Sequence, residues 1–209
     1  DVKVLLKKAP DVALQVFSEN MSERELKSGK NLLTFSVAQN YINTFLKNEI
    51  KFIKKSKDDL YIKLLEQSLE GSLQLNGNII KLKGTADRVD TFGNTLRIID
   101  YKTGLVNVAD LKIKSTEDLK TGKKSKAFQI LMYAYLYAQQ NELSNTQLHS
   151  GIISFRTLSN HSFHAMNPLS LRLHYQSLHH ENGYIFQVSR QDLHAHQLLS
   201  SGYMHPRCL

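Results

Sequence analysis

The sequence predicts an α/β fold in which helices flank a central mixed sheet. Residues 31–56 and 127–140 repeat apolar side chains at helical spacing, whereas residues 68–103 form short apolar runs separated by turn residues. With 209 residues, the chain is long enough to bury a hydrophobic core without relying on disulfides.

A long amphipathic helix is predicted over residues 31–56. Its apolar residues fall close to one helical face: Leu32, Leu33, Phe35, Val37, Tyr41, Ile42, Phe45, Leu46, Ile50 and Ile53. A second helical stretch is predicted over residues 57–65, after which the pattern shortens toward the alternation of strands.

Three strands joined by two hairpins are predicted between Ser68 and Thr103. The segments Asn76-Gly77-Asn78 and Phe92-Gly93-Asn94 supply the turns, because Asn and Gly tolerate the backbone angles of tight hairpins. An antiparallel meander follows from this pattern. Downstream, the sequence predicts a basic polar stretch over 112–126, a Tyr- and Leu-rich helix over 127–140 and a strand over 151–157.

The composition changes near residue 158, which suggests a domain boundary. No lysine follows Lys126, and all nine histidines lie at His149 or later. We therefore expect residues 1–157 to form one domain and residues 158–209 to be a compositionally distinct tail that need not be well ordered.

Charge and cysteine content narrow the functional class. A formal net charge of +8 and a pI near 9.4 suit a polyanionic partner, although excess lysine can equally serve solubility. A single cysteine excludes an internal disulfide framework and a four-cysteine zinc or iron–sulfur site. The single cysteine also favours a reducing, cytoplasmic setting, and the absence of an apolar run long enough to cross a bilayer predicts no membrane partner.

Three residues form the main candidate for a catalytic metal site: Asp87, Asp100 and Lys102. Asp100 and Lys102 are two apart on a predicted strand, so both side chains should lie on one face. The turn at residues 92–94 can bring Asp87 beside Asp100, and two adjacent carboxylates favour a divalent cation between them. Mg²⁺, or Mn²⁺ in its place, suits such oxygen ligands. The simpler alternative is a charged hairpin end followed by an ordinary strand exit.

The motifs around these residues resemble the RecB-like branch of the PD-(D/E)XK nuclease superfamily. They are Gly84-Thr85-Ala86-Asp87-Arg88-Val89-Asp90, Asp100-Tyr101-Lys102-Thr103-Gly104 and Gln129-Ile130-Leu131-Met132-Tyr133. The resemblance implies a restriction-endonuclease-like fold and metal-dependent hydrolysis of DNA. It also implies that Asp87, Asp100 and the Tyr101 carbonyl bind the metal, that Lys102 is the catalytic lysine, and that Gln129 and Tyr133 contact DNA.

Two features of the family pattern are less well matched here. An upstream glutamate often completes the site; Glu66 is the better placed candidate, and Glu70 is its competitor. The branch also carries a helical histidine well before the first aspartate, but no histidine precedes His149. Either the chain is truncated at its N-terminus relative to the family, or the site lacks one ligand.

The resemblance also suggests partners. The comparison favours an exonuclease of an AddB- or RecB-type helicase–nuclease, without an iron–sulfur cluster, acting on single-stranded DNA or DNA ends in double-strand break repair and recombination. Lys123, Lys124 and Lys126 precede the Gln129 helix and are candidates for phosphate contact, or else solvated loop residues. The alternatives are a catalytically inactive DNA-binding module of nuclease fold and a structural domain that contacts protein or RNA.

Overall fold

The structure is a computed structural model that describes residues 2–75, 78–113, 118, 122–141, 143, 147–160 and 163–165. Within these ranges the helices are α1 (Val2–Ser18), α2 (Glu23–Leu26), α3 (Gly29–Lys55), α4 (Val108–Leu111) and α5 (Ser125–Gln140). The strands are β1 (Leu60–Leu75), β2 (Asn78–Phe92), β3 (Thr95–Lys102), β4 (Gln147–Ser154) and β5 (Phe163–Ala165). A 3₁₀ segment, Phe155–Asn160, follows β4.

The strands form one mixed sheet in the order β1-β2-β3-β4-β5. The first three form the expected antiparallel meander, whose first turn, at residues 76 and 77, lies outside the described residues. β4 runs parallel to β3, which requires a crossover, and α5 is part of that connection. β5 returns antiparallel to β4. The α/β prediction is confirmed.

Helices cover both faces of the sheet, and alternate side chains of β3 pack into a different hydrophobic cluster on each face. Leu96 and Ile98 join the main core, which contains buried residues of α5 such as Ile130 and Leu136. Ile99 points to the opposite face, in a second cluster packed by α3 and the segment after β4. The predicted helices over 31–56 and 127–140 are confirmed as α3 and α5.

At its N-terminal end, α3 also supports α1. The rings of Phe17 and Phe35 meet edge to face at 5.0 Å, and α1 continues through Pro10. Neither these helices nor any other in the described ranges is long and apolar enough to span a membrane.

The predicted helix over residues 57–65 is wrong. β1 begins at Leu60, which pairs with Phe92, and the backbone N–H of Gly93 donates to Asp59 O at 3.2 Å. A register shift between Ile62 and Leu64 breaks the alternation of the strand. The apolar spacing therefore looked helical, although pairing with β2 determines the structure.

Two further boundaries differ from the sequence analysis or cannot be compared with it. β4 spans Gln147–Ser154 rather than residues 151–157, and its continuation is the 3₁₀ segment. Residues 166–209 lie outside the described part of the chain, so the domain boundary near residue 158 stays a prediction.

Candidate active site

Asp100 and Lys102 lie together near the C-terminal end of β3. The ammonium nitrogen of Lys102 donates to Asp100 Oδ1 at 3.1 Å and lies 2.9 Å from Oδ2. Only 3% of Asp100 is exposed, whereas the Lys102 side chain is 31% exposed. A buried carboxylate is thus in contact with a partly solvated cation that can reach a ligand.

Asp87 is held against the same strand through the main chain. The paired residues of β2 and β3 run from Phe92↔Thr95 to Arg88↔Ile99. One residue further along β2, the Asp87 carboxylate oxygen Oδ2 accepts the backbone N–H of Tyr101 at 2.6 Å. Because Tyr101 directly follows Asp100, this bond brings the two carboxyl groups into one neighbourhood.

The buried Asp100 carboxylate has Lys102 as its counter-ion and a second carboxylate, Asp87, nearby. Burial raises the pKa of Asp100 above its ordinary value; the hydrogen bond and charge of Lys102 oppose this, and the negative charge of Asp87 adds to it. Its Oδ2 is buried and makes no hydrogen bond of normal geometry to any residue the structure describes. The oxygen lies 2.9 Å from Lys102 Nζ, and this ion pair leaves it able to accept a further ligand.

This donor set fits a hard divalent cation. Mg²⁺ is commonly held by one or two carboxylates, with waters and substrate phosphate completing its shell. Asp87 and Asp100 supply two carboxylates. In the part of the chain that the structure describes, no group of three or more His, Cys, Asp or Glu could hold a metal, so the protein contribution is a sparse one.

Gln129 and Tyr133 on α5 close one side of the site. Gln129 Nε2 donates to the Tyr133 hydroxyl at 2.7 Å. Burial raises the pKa of Tyr133, the Gln129 hydrogen bond lowers it, and the charges of Asp100, Lys102 and Asp87 all act on the same hydroxyl. The structure therefore brings together five of the residues that the sequence analysis selected.

Gly84 makes room for Tyr133, a role that the sequence analysis did not assign. A Cβ atom at Gly84 would lie 2.7 Å from Tyr133 Cε1 and 3.1 Å from Cδ1. The tyrosine ring therefore lies directly on the backbone of β2. The position of Gly84 in the first motif was the available signal for this contact.

Glu66 is not gathered into a metal cluster with the aspartates. It is exposed, and its neighbours Leu65 and Gln67 pair with Arg88 and Ala86, so Glu66 stands opposite Asp87 on β1. Its φ of +49° is in the left-handed region that non-glycine residues rarely adopt. Its competitor, Glu70, forms an exposed ion pair with Lys83 at 3.0 Å.

Tyr101 contributes its main chain to the site, and its side chain turns to the other face. Its ring packs on Phe45 and Phe155 at centroid distances of 5.6 and 5.5 Å. Its hydroxyl accepts a hydrogen bond from Arg88 Nη1 at 3.3 Å. The predicted metal contact of Tyr101 involves only its carbonyl, so this orientation is compatible with it.

A buried ionic network lies behind the site, under α3. Arg88 Nη1 is 2.9 Å from Glu49 Oε2 and Arg88 Nε is 2.6 Å from Asp90 Oδ2. Arg97 donates to both Asp90 oxygens, at 2.6 and 2.9 Å, and its guanidinium lies over the rings of Phe52 and Phe92. Sequence reasoning did not find this network. Its one visible signal is that Glu49 is the sole acidic residue of α3.

The three candidate lysines occupy different environments. Lys123 is exposed. Lys124 donates to the carbonyl of Ala109, and Lys126 pairs with Asp110 Oδ2 at 2.9 Å and donates to the Leu105 carbonyl at 3.3 Å. Lys124 and Lys126 therefore anchor α5 to the α4 segment, which leaves Lys123 the most accessible of the three for phosphate.

Comparisons with known proteins identify a family. The model of the PD-(D/E)XK nuclease superfamily matches residues 5–194. The crystal structure of SSO0001 aligns with 73% of this chain and 71% of its own, at 16% identity and a TM-score of 0.26, which is too low to indicate a shared fold. No curated protein matches the chain.

Proposed function

Because the chain belongs to the PD-(D/E)XK nuclease superfamily, we propose that it is a Mg²⁺-dependent deoxyribonuclease that hydrolyses phosphodiester bonds with water as the nucleophile. The observation that carries this proposal is the buried Asp100 carboxylate, which is in contact with Lys102 and lies beside a second carboxylate, Asp87. Such an arrangement is unfavourable on its own and becomes favourable when a cation and a phosphate complete it.

Each residue of the site has a role in this proposal. Asp87, Asp100 and the Tyr101 carbonyl hold the cation, which when bound supplies charge stabilisation to the scissile phosphate. Lys102 stabilises the negative charge that develops on the phosphate oxygens and orients the attacking water. Gln129 holds the Tyr133 hydroxyl, and this pair contacts the DNA strand beside the scissile bond.

Glu66 is proposed as an additional member of the site. It lies opposite Asp87, and its strained backbone is a feature often found at functional positions. Rotation of its exposed side chain toward Asp87 would add a third carboxylate when cation and DNA are bound. Glu66→Gln should then weaken activity, although less than changes at Asp87 or Asp100.

The substrate and cellular role extend the same proposal. We propose single-stranded or free-ended DNA as the substrate, exonuclease action, and a place in double-strand break repair and recombination with a helicase domain or subunit of the AddB or RecB kind. The motifs of the RecB-like branch and the basic net charge support this reading. Lys123 would contact the DNA backbone. Lys124 and Lys126 would join it if they exchanged their internal partners for phosphate.

A cleavage assay tests the proposal. The chain is incubated with end-labelled single-stranded DNA in Mg²⁺ or in excess EDTA, beside the variants Asp100→Ala and Lys102→Ala. We expect cleavage in Mg²⁺ alone, with a loss of at least about 100-fold in either variant. Cleavage that survives EDTA or both substitutions would refute the assignment.

The second candidate is a catalytically inactive module that binds DNA for a partner helicase. It is favoured by the sparse ligand set, since the described residues offer two gathered carboxylates and no third acidic or histidine ligand. The same assay separates the two candidates when DNA binding is measured in parallel. Retained binding with no cleavage in either Mg²⁺ or Mn²⁺ would favour the inactive module.

A further inference from the structure

We propose that Glu49, Arg88 and the Tyr101 hydroxyl form a rear clamp that sets the separation of the Asp87 and Asp100 carboxyl groups. These three act as positioning residues from the α3 face of the sheet, and none of them is proposed to touch substrate with its side chain. The inference rests on the proposed metal site, because it explains how the chain holds that site in shape.

The need for a clamp arises where the strand pairing ends. The β2–β3 pairing reaches Arg88↔Ile99, one residue before the two aspartates. Beyond it, the backbone N–H of Tyr101 donates to Asp87 Oδ2 at 2.6 Å and joins the two strands through a side chain. That bond uses one oxygen of a metal-ligand carboxylate, so it is exposed to competition when a cation binds.

The rear clamp supplies an independent restraint at the same point. Arg88 Nη1 bonds to both the Tyr101 hydroxyl, at 3.3 Å, and Glu49 Oε2, at 2.9 Å. Arg88 follows Asp87 in sequence, and Tyr101 separates Asp100 from Lys102. Because side chains alternate along a strand, Arg88 and Tyr101 lie on the α3 face of the sheet, whereas the site residues lie on the opposite face. The rear clamp therefore contacts both strands without occupying the site.

Charge balance explains why the contact from α3 matters. The buried network holds two cations, Arg88 and Arg97, and two anions, Glu49 and Asp90. Glu49 is the only anion that α3 provides, so it both neutralises the network and fixes α3 to β2. Arg88 is 3% exposed, and a guanidinium so deeply buried is confined to its partners.

Mutation of residues that hydrogen-bond to and orient metal-ligating residues commonly reduces metal affinity or activity by about 10- to 100-fold. The hydroxyl contact at 3.3 Å is the weaker member of the clamp, and Glu49 is the stronger. Tyr101→Phe should therefore weaken Mn²⁺ binding by about 3- to 10-fold, and Glu49→Gln by about 10-fold or more. Since both act through Arg88, the effects should not be additive in the double variant.

Tyr135→Phe is the matched control. Tyr135 is a buried tyrosine whose hydroxyl donates to the Ser72 carbonyl at 3.2 Å, on the α5 side of the sheet. The hydroxyl also accepts a hydrogen bond from Gln139 Nε2 at 2.7 Å, so Tyr135→Phe loses two hydrogen bonds, and its melting temperature gives an upper measure of the general cost of removing a tyrosine hydroxyl. Its Mn²⁺ affinity should stay that of the wild-type chain.

The experiment measures Mn²⁺ binding by titration calorimetry, kcat and KM for single-stranded DNA, and hydrogen exchange of the Tyr101 amide. The five proteins are the wild type, Tyr101→Phe, Glu49→Gln, their double variant and Tyr135→Phe. We expect Tyr101→Phe and Glu49→Gln to bind Mn²⁺ more weakly, to lose kcat with little change in KM, and to exchange the Tyr101 amide faster than Tyr135→Phe does. A purely structural role would lower the melting temperature without these changes.

The outcomes separate this inference from the proposed function. A wild-type chain that neither binds Mn²⁺ nor cleaves DNA refutes the nuclease proposal, while amide exchange at Tyr101 still tests the clamp. Wild-type Mn²⁺ affinity and amide protection in Tyr101→Phe would overturn the clamp, even if Glu49→Gln fails to fold.

Discussion

Substitution of Gly84 by alanine should damage activity through Tyr133. The new Cβ would lie 2.7 Å from Tyr133 Cε1, whereas carbon atoms in contact prefer about 3.5–4.0 Å. The ring must therefore retreat by about 1 Å. Overpacking of this kind costs about 1–3 kcal/mol of stability, and a displacement of about 1 Å at a reacting centre can cost about 100-fold in rate.

Gly71→Ala, on β1, provides a matched control because its new Cβ would press on the same helix, α5. A Cβ at Gly71 would press on Gln139 Oε1 and would lie 2.8 Å from Leu136 Cδ2, six and three residues beyond Tyr133 on α5. It should destabilise the chain by a comparable amount. The residues it disturbs do not take part in the proposed chemistry, so cleavage per folded molecule should stay near that of the wild type.

The assay compares initial cleavage rates and melting temperatures for the two alanine variants. We expect Gly84→Ala to lose at least about 10-fold more activity than Gly71→Ala at equal folded fraction. In a Tyr133→Ala background, Gly84→Ala should cause little further loss, because no ring remains to be displaced. Equal losses in the two variants, or a fully active Gly84→Ala chain, would refute the reasoning.

Three further predictions concern charge. In metal-free protein at neutral pH, Asp100→Asn should raise the free energy of unfolding by about 1 kcal/mol, because it removes a buried charge crowded by Asp87. An unchanged or lower free energy of unfolding in denaturant titration would contradict this. Burial, and to a smaller extent the charge of Arg97, lowers the pKa of His149 to about 4 from an ordinary 6.5, so the folded chain favours the neutral imidazole. The free energy of unfolding should therefore fall by about 3 kcal/mol in total as the pH drops from about 6.5 toward 4. In thermal unfolding, the His149→Gln variant should lack this dependence of stability on pH. An unchanged pH dependence would contradict the role of His149. Lys123→Ala should weaken DNA binding and reduce the slope of log affinity against log salt by about 0.7, whereas an unaltered slope would exclude phosphate contact by Lys123.

The sequence allowed the central part of the fold to be predicted because its signals were local. α3 and α5 have apolar stripes at helical spacing, and Phe92-Gly93-Asn94 marks the turn that brings β2 and β3 together. The shared face of Asp100 and Lys102 followed from strand alternation, and the structure places their side chains in contact. Gln129 and Tyr133 likewise bond across one helical turn.

The parts that could not be predicted depend on tertiary contacts. β1 was assigned a helix in its first residues because the register shift after Ile62 disguises its alternation. α1 continues through Pro10, a residue that usually breaks helices. The bond from the Tyr101 N–H to Asp87 and the pairing of Glu49 with Arg88 link residues far apart in sequence, and no local pattern announces either contact.

The most direct test of the account is a titration of the metal-free chain with Mn²⁺, compared with Asp87→Asn and Asp100→Asn. Each substitution keeps the size of the side chain and removes one of the two carboxylates that the structure brings together. We expect one binding event in the wild type that is lost or weakened by at least about 10-fold in both variants. Wild-type affinity in either variant would contradict the claim that Asp87 and Asp100 hold a single cation.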